Sequence, residues 1–147
     1  MKTFLLIAWV MITLTGCSSG NTDISKEIIS LEKAALEKWN RGDIYGYLDL
    51  YAEDIVYFDP MIDKRMDGLQ KIKEYYESWE GEINVTECEM IDPKVQAVKD
   101  MAVLTFNLRS VEGDSLYQWN CTEVYRKDRG KWLIIQTHWS YVKPNVK

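Results

Sequence analysis

Apolar positions recur at helical spacing through the first part of the chain and at strand spacing through the last. Ile24, Ile28, Leu31, Ala35 and Trp39 share one stripe, with Lys26, Glu27, Glu32, Lys33, Glu37 and Lys38 mostly off it. That spacing predicts one long amphipathic helix. Gly42 ends it, and Asp43 caps a second, shorter helix carrying Ile44, Tyr47, Leu48 and Tyr51. Asp54 closes that helix, and Ile55-Val56-Tyr57-Phe58 reads as a strand terminated by Asp59-Pro60. A third helix opens at Asp67, with Gln70 as the other half of a capping box and Ile72, Tyr75, Tyr76 and Trp79 as its apolar face. Gly81 stops it.

Beyond Gly81 the pattern turns to strands, over 83–91, 101–111, 116–126 and 131–142. Asp92-Pro93, Val111-Glu112-Gly113-Asp114 and Lys127-Asp128-Arg129-Gly130 separate them with turn chemistry. Three helices followed by a meander of long antiparallel strands predict an α+β domain over residues 23–147. Neither a repeat nor a second domain is visible.

The N-terminal segment has a different character. Lys2 precedes an apolar run from Phe4 to Leu14 that is too short to span a bilayer. It ends in Leu14-Thr15-Gly16-Cys17, which resembles a lipobox. Residues 1–16 are therefore expected to be a cleaved lipoprotein signal peptide, and 17–22 a polar tether. Acyl chains on Cys17 would anchor the chain to a membrane without spanning it, which places it in the cell envelope. The net charge of −5 and the lack of any basic run exclude nucleic-acid binding as an expectation.

Several short motifs, taken in order, resemble a known superfamily. Gly42-Asp43, Leu50-Tyr51-Ala52-Glu53-Asp54, Tyr57-Phe58-Asp59-Pro60 and Asp67-Gly68 are similar to the front half of SnoaL-like domains and ketosteroid isomerases. Gly130-Lys131-Trp132 and Thr137-His138-Trp139-Ser140 resemble their last strand, and the association domain of calcium/calmodulin-dependent kinase II is similar as well. The resemblance implies a cone-shaped, nuclear transport factor 2-like fold, with three N-terminal helices packed on a curved antiparallel sheet and a pocket at the open end. It also implies homodimers formed through the outer sheet face. One such fold hosts many functions.

By the same resemblance, Asp59 stands where ketosteroid isomerases place their carboxylate base, and Tyr51 and Tyr76 stand at supporting tyrosines. Desolvation would raise the pKa of Asp59. The bland duty for Asp59 is to cap a turn before Pro60, and Tyr51 and Tyr76 also suit core positions. The isomerase oxyanion donors fall on Ala35 and Thr122, so that activity is not expected.

Alternation along the last strands, with Arg126 opposite Lys131, puts Gln118, Asn120, Thr122, Thr137 and Trp139 on one face with Thr105 and Asn107. The resemblance turns this face to the pocket. Trp119, Cys121, Tyr125, Trp132, Ile134 and His138 then lie with Leu104, Phe106 and Leu108 on an outer, apolar, dimer-forming face. The expected ligand contacts are Trp39, Tyr51, Tyr57, Asp59, Tyr76, Thr105, Asn107, Asn120, Thr122 and Trp139. His138 is the single histidine, and without a Cys or carboxylate cluster at ligand spacing it gives no reason to expect a metal. No cofactor fingerprint is present. Cys88 and Cys121 sit on strands two apart, beyond disulfide reach, and are expected as free, buried thiols. Three readings stay open: a lipid-anchored protein binding a small organic ligand; an isomerase, dehydratase or cyclase with Asp59 as base; or a dimerisation scaffold.

Overall fold

The computed structural model describes residues 19–143. The expected signal peptide and Cys17, the expected lipidation site, lie outside the described residues. Helix α1 (Ser19–Trp39) leads to a single turn, α2 (Tyr45–Leu48), then strand β1 (Tyr51–Phe58) and a two-residue strand β2 (Met66–Asp67). Helix α3 (Leu69–Tyr76) runs into a 3-10 turn (Glu77–Trp79). Four long strands follow: β3 (Val85–Val98), β4 (Met101–Glu112), β5 (Ser115–Asp128) and β6 (Lys131–Tyr141). They form one six-stranded sheet in the order β2-β1-β6-β5-β4-β3. Every neighbour pair is antiparallel except β1 with β6, which run parallel. The α+β class and the helices-on-curved-sheet architecture expected from sequence are what the chain adopts.

Local differences have local causes. The second helix is cut to one turn because Tyr51 is already paired with Ile134 in the sheet. Met66 and Asp67 pair with β1, so α3 begins after Gly68 (φ 94) with no side-chain cap, and the Asp67 capping box does not form. Asp92 (φ 47) and Pro93 sit at an irregularity inside β3 rather than ending it. At the end of α1, Gly42 adopts φ +81, and a Cβ there would meet the Gly81 Cα at 2.9 Å. Gly81 N–H donates to the Gly42 carbonyl at 2.9 Å, tying the end of α1 to the segment after α3.

The β5–β6 hairpin sets the faces of the sheet. Asp128 pairs with Lys131 across Arg129 (φ 48) and Gly130 (φ 85), a two-residue turn with positive φ at both central positions. The expected pairing of Arg126 with Lys131 is thus displaced by two residues, which keeps the face assignment near the turn. Farther on, the register shifts: Tyr125 opposes Ile134 but Val124 opposes Gln136. Ile135 is therefore an extra residue in β6, a β-bulge that flips every later side chain relative to its partner strand. As a result Cys121 pairs with Trp139, and Thr122 with His138.

The inner face accordingly carries Leu104, Phe106, Leu108, Cys121, Tyr125, Trp132 and Ile134, all buried beneath α1. The expected polar pocket face and apolar outer face are reversed over β4 and β5. Asn107, Asn120, Thr122 and His138 are exposed on the outside. Alternating hydrophobicity selects this arrangement, because burying the apolar set is the larger gain. An apolar outer face is therefore no longer an argument for dimerisation.

Candidate binding cleft

At the open end of the cone the helices and the sheet diverge and leave a cleft of about 380 Å³. Its helical wall is built by Trp39 at the end of α1, Tyr47 of α2, Tyr76 of α3 and Trp79 of the 3-10 turn. Trp39 lies 4.8 Å from Tyr76 and 6.0 Å from Trp79 between ring centroids. The sheet wall is built by Tyr117 and Trp119 of β5 with Trp139 and Tyr141 of β6. Trp119 meets Trp139 edge to face at 6.2 Å and 89°, and its indole N–H donates to Ser110 Oγ at 3.1 Å, which fixes the ring. A cleft of this size and lining suits a small organic molecule.

Asp59 stands at one edge, just past β1. Its Oδ1 accepts from the Met61 N–H at 2.7 Å and its Oδ2 from the Tyr57 hydroxyl at 3.1 Å. Tyr76 donates in turn to Tyr57 at 3.1 Å, and the Tyr51 and Tyr76 hydroxyls are 3.1 Å apart. With those two donations fixed, Tyr51 must donate to Tyr76. Hydroxyl protons thus run in one direction, Tyr51 to Tyr76 to Tyr57 to Asp59, and converge on the carboxyl. Burial raises the Asp59 pKa above its ordinary value, while the bonds from Met61 and Tyr57 pull the other way. Burial pushes the Tyr51, Tyr57 and Tyr76 hydroxyls up, so they stay protonated as donors.

Behind the cleft lies a second polar cluster. Glu32 and Glu123 are both fully buried. Tyr47 donates to Glu32 Oε1 at 2.7 Å, and the Tyr125 hydroxyl lies 2.7 Å from Glu32 Oε2 and 3.0 Å from Glu123 Oε2. Thr137 donates to Glu123 Oε1 at 3.1 Å. Burial first, and then the proximity of Glu32, hold the Glu123 pKa well above the usual carboxyl range, which favours its protonated form.

Comparison with known proteins places this architecture. A family model described as the calcium/calmodulin dependent protein kinase II association domain matches residues 24–143. The chain belongs to that family. Among solved structures, this association-domain chain is similar to a candidate ketosteroid isomerase from Parabacteroides distasonis ATCC 8503. That pair shares 43% identity at a TM-score of 0.76, over 86% of this chain and 94% of the other. An NTF2-like protein of unknown function from Pseudomonas putida KT2440 shares 26% identity at a TM-score of 0.75, over 85% of this chain and 91% of that one. The association domain of C. elegans CaMKII, at 17% identity, has the same fold at a TM-score of 0.70, covering 84% of this chain and 99% of its own. No curated protein matches the sequence.

Within this association-domain chain, the structure brings together half of the expected contact set. Trp39, Tyr57, Asp59, Tyr76 and Trp139 line the cleft. Tyr51 is buried behind it and reaches Asp59 only through the hydroxyl chain. Thr105, Asn107, Asn120 and Thr122 do not approach it: they alternate with the buried Leu104, Phe106, Leu108 and Cys121 and so lie on the outer face, where Asn107 donates to Asn120 Oδ1 at 2.8 Å, while the Ile135 bulge parts them from Trp139, which lines the cleft. His138 lies outside as expected, its ring 5.3 Å from Phe58. Cys121 is free and buried as expected, whereas Cys88, on the edge strand β3, is free but exposed, because no further strand covers it.

Sequence reasoning missed Trp79, Trp119 and Tyr141 as lining residues, and the Glu32–Glu123 cluster entirely. A signal for the cluster was present. Glu32 sits one helical turn from both Ile28 and Leu36, and Glu123 alternates between Cys121 and Tyr125. The resemblance puts one of the two oxyanion donors at Thr122. Its neighbour Glu123 is the carboxyl that faces inward, but it is bonded to Tyr125 and Thr137 and does not line the cleft.

Proposed function

We propose that this chain is a lipid-anchored ligand-binding protein of the cell envelope, and that its aromatic cleft takes a small organic molecule against the Asp59 carboxyl. The observation that carries the reading is an open cleft of about 380 Å³ with two aromatic walls and a half-buried carboxyl whose donors are already fixed. A preorganised, mostly apolar site with few oriented polar groups is what small-ligand recognition needs. Thermal unfolding of the full-length protein against a panel of small organic molecules tests it. A binder should raise the midpoint in the wild type but not in Trp139→Leu; a panel without any such molecule would count against the reading. For the anchor, Cys17→Ser should release the protein from the membrane fraction, and retention there would contradict it.

The hydroxyl chain ending on Asp59 favours a second reading, proton transfer to and from a carbon acid with Asp59 as base. Similarity to the Parabacteroides protein supports it. The full isomerase oxyanion hole has no counterpart, since Ala35 offers no donor and Thr122 faces outward. Self-association as a homodimer is proposed on the family description alone. Sedimentation of the full-length protein tests it, a single monomeric species being the contrary result.

A further inference from the structure

We propose that the molecule selected by the cleft is an organic cation, either a protonated amine or a quaternary ammonium; this rests on the ligand-binding reading above. The residues lining the cleft include four tryptophans and five tyrosines. They also include three carboxyl groups, Asp59, Glu82 and Glu112, but among the described residues no Lys, Arg or His. Among the described residues none of those three carboxyl groups is ion-paired. Asp59 is half-buried at the edge of the cleft and Glu82 and Glu112 are exposed at its rim, so the described residues present carboxyl groups and ring faces, and no positive charge, to whatever enters.

The geometry fits a cation. Trp119 and Trp139 form a right-angled corner, and Tyr141 lies 4.5 Å from Trp119 between ring centroids. Indole and phenol faces carry negative quadrupole potential, and Trp is the most favourable platform for a cation. The Tyr141 hydroxyl donates to Met61 Sδ at 3.4 Å, and the Met61 N–H donates to Asp59 Oδ1 at 2.7 Å. Met61 thereby holds the carboxyl beside the aromatic corner. Each Asp59 oxygen has one donor within the protein and retains a lone pair for another.

The alternatives fare worse on the same terms. An anionic ligand would face three carboxyl groups with no compensating donor charge. A neutral apolar ligand would complete the desolvation of Asp59 and give nothing back. A cation neutralises the carboxylate and uses the ring faces at once.

The test varies charge at constant shape. Tryptophan emission of the full-length protein is titrated with choline and with its tert-butyl analogue, in which carbon replaces the quaternary nitrogen. A third titration uses the anion tert-butylacetate. Choline is expected to bind at least about tenfold more tightly than the carbon analogue, with the anion weakest. Asp59→Asn, which keeps an acceptor for Met61, should narrow the gap between choline and its analogue. Trp139→Leu should weaken choline without restoring the anion. If the analogue or the anion binds as tightly as choline, the cation inference is overturned while the ligand-binding reading stands. If choline leaves emission unchanged, the inference also falls, and the thermal panel alone then decides the broader reading.

Discussion

Tyr47 donates its hydroxyl to Glu32 Oε1 at 2.7 Å, and so ties the wall of the cleft to a carboxyl that solvent does not reach. The other Glu32 oxygen faces the Tyr125 hydroxyl, 93 residues away in sequence. One side chain therefore satisfies two buried phenols from different layers. Glu32→Ala would leave the Tyr47 hydroxyl without a partner, at a cost of about 1–3 kcal/mol, and would leave Tyr125 with Glu123 alone. The expected outcome is a loss of about 1–3 kcal/mol in urea unfolding. A loss below about 1 kcal/mol would mean that the cluster is not the structural joint described here.

Glu123 gives the same cluster a pH dependence. Its carboxyl pKa is raised in the folded chain, chiefly by burial. The folded state therefore holds a proton that the unfolded chain releases above about pH 4.3. The stabilising contribution is complete below that pH and is lost as pH rises through the folded-state value. Glu123→Gln is uncharged at any pH, so its unfolding midpoint should fall less steeply than the wild type's as pH rises above 4.3. Some slope should persist, because the Asp59 pKa is shifted in the same direction. Parallel pH profiles for wild type and variant would contradict the assignment.

Much of this fold was legible because hydrophobic spacing is a local signal. The α1 stripe, the β1 motif through Asp59 and the alternation of β4 all follow from neighbouring residues. The register across β5 and β6 was not legible, since it depends on one extra residue. Nothing in Leu133-Ile134-Ile135-Gln136 marks Ile135 as the bulge, yet it decides whether Trp139 shares a face with Asn120 or with Trp119. Glu32 and Glu123 were overlooked for a different reason. Carboxyl groups are rarely fully buried unless paired, and their partners lie on separate elements that only the tertiary fold brings together. Asp59, Tyr57 and Tyr76 were visible as candidates, but the direction of their hydroxyl chain required coordinates.

Tyr57 tunes Asp59 through a single bond of 3.1 Å, and that bond lowers the carboxyl pKa against the effect of burial. Tyr57→Phe removes the donor while keeping the ring that packs against Tyr76 at 5.9 Å. The Asp59 pKa should therefore rise above its wild-type value, read by carboxyl-carbon NMR. An unchanged or lowered value would show that the hydroxyl chain does not end on Asp59.

The most direct test of the cleft as a binding site uses the indole N–H resonances of the full-length protein. Trp39, Trp79, Trp119 and Trp139 line the cleft, whereas Trp132 is outside it and donates its indole N–H to Glu27 at 3.1 Å. Titration with a molecule that raises the unfolding midpoint should shift the four cleft resonances together, with a common affinity, and leave Trp132 in place. Movement of Trp132 alone, or a midpoint shift with all four cleft resonances unmoved, would place the ligand elsewhere and contradict the central claim.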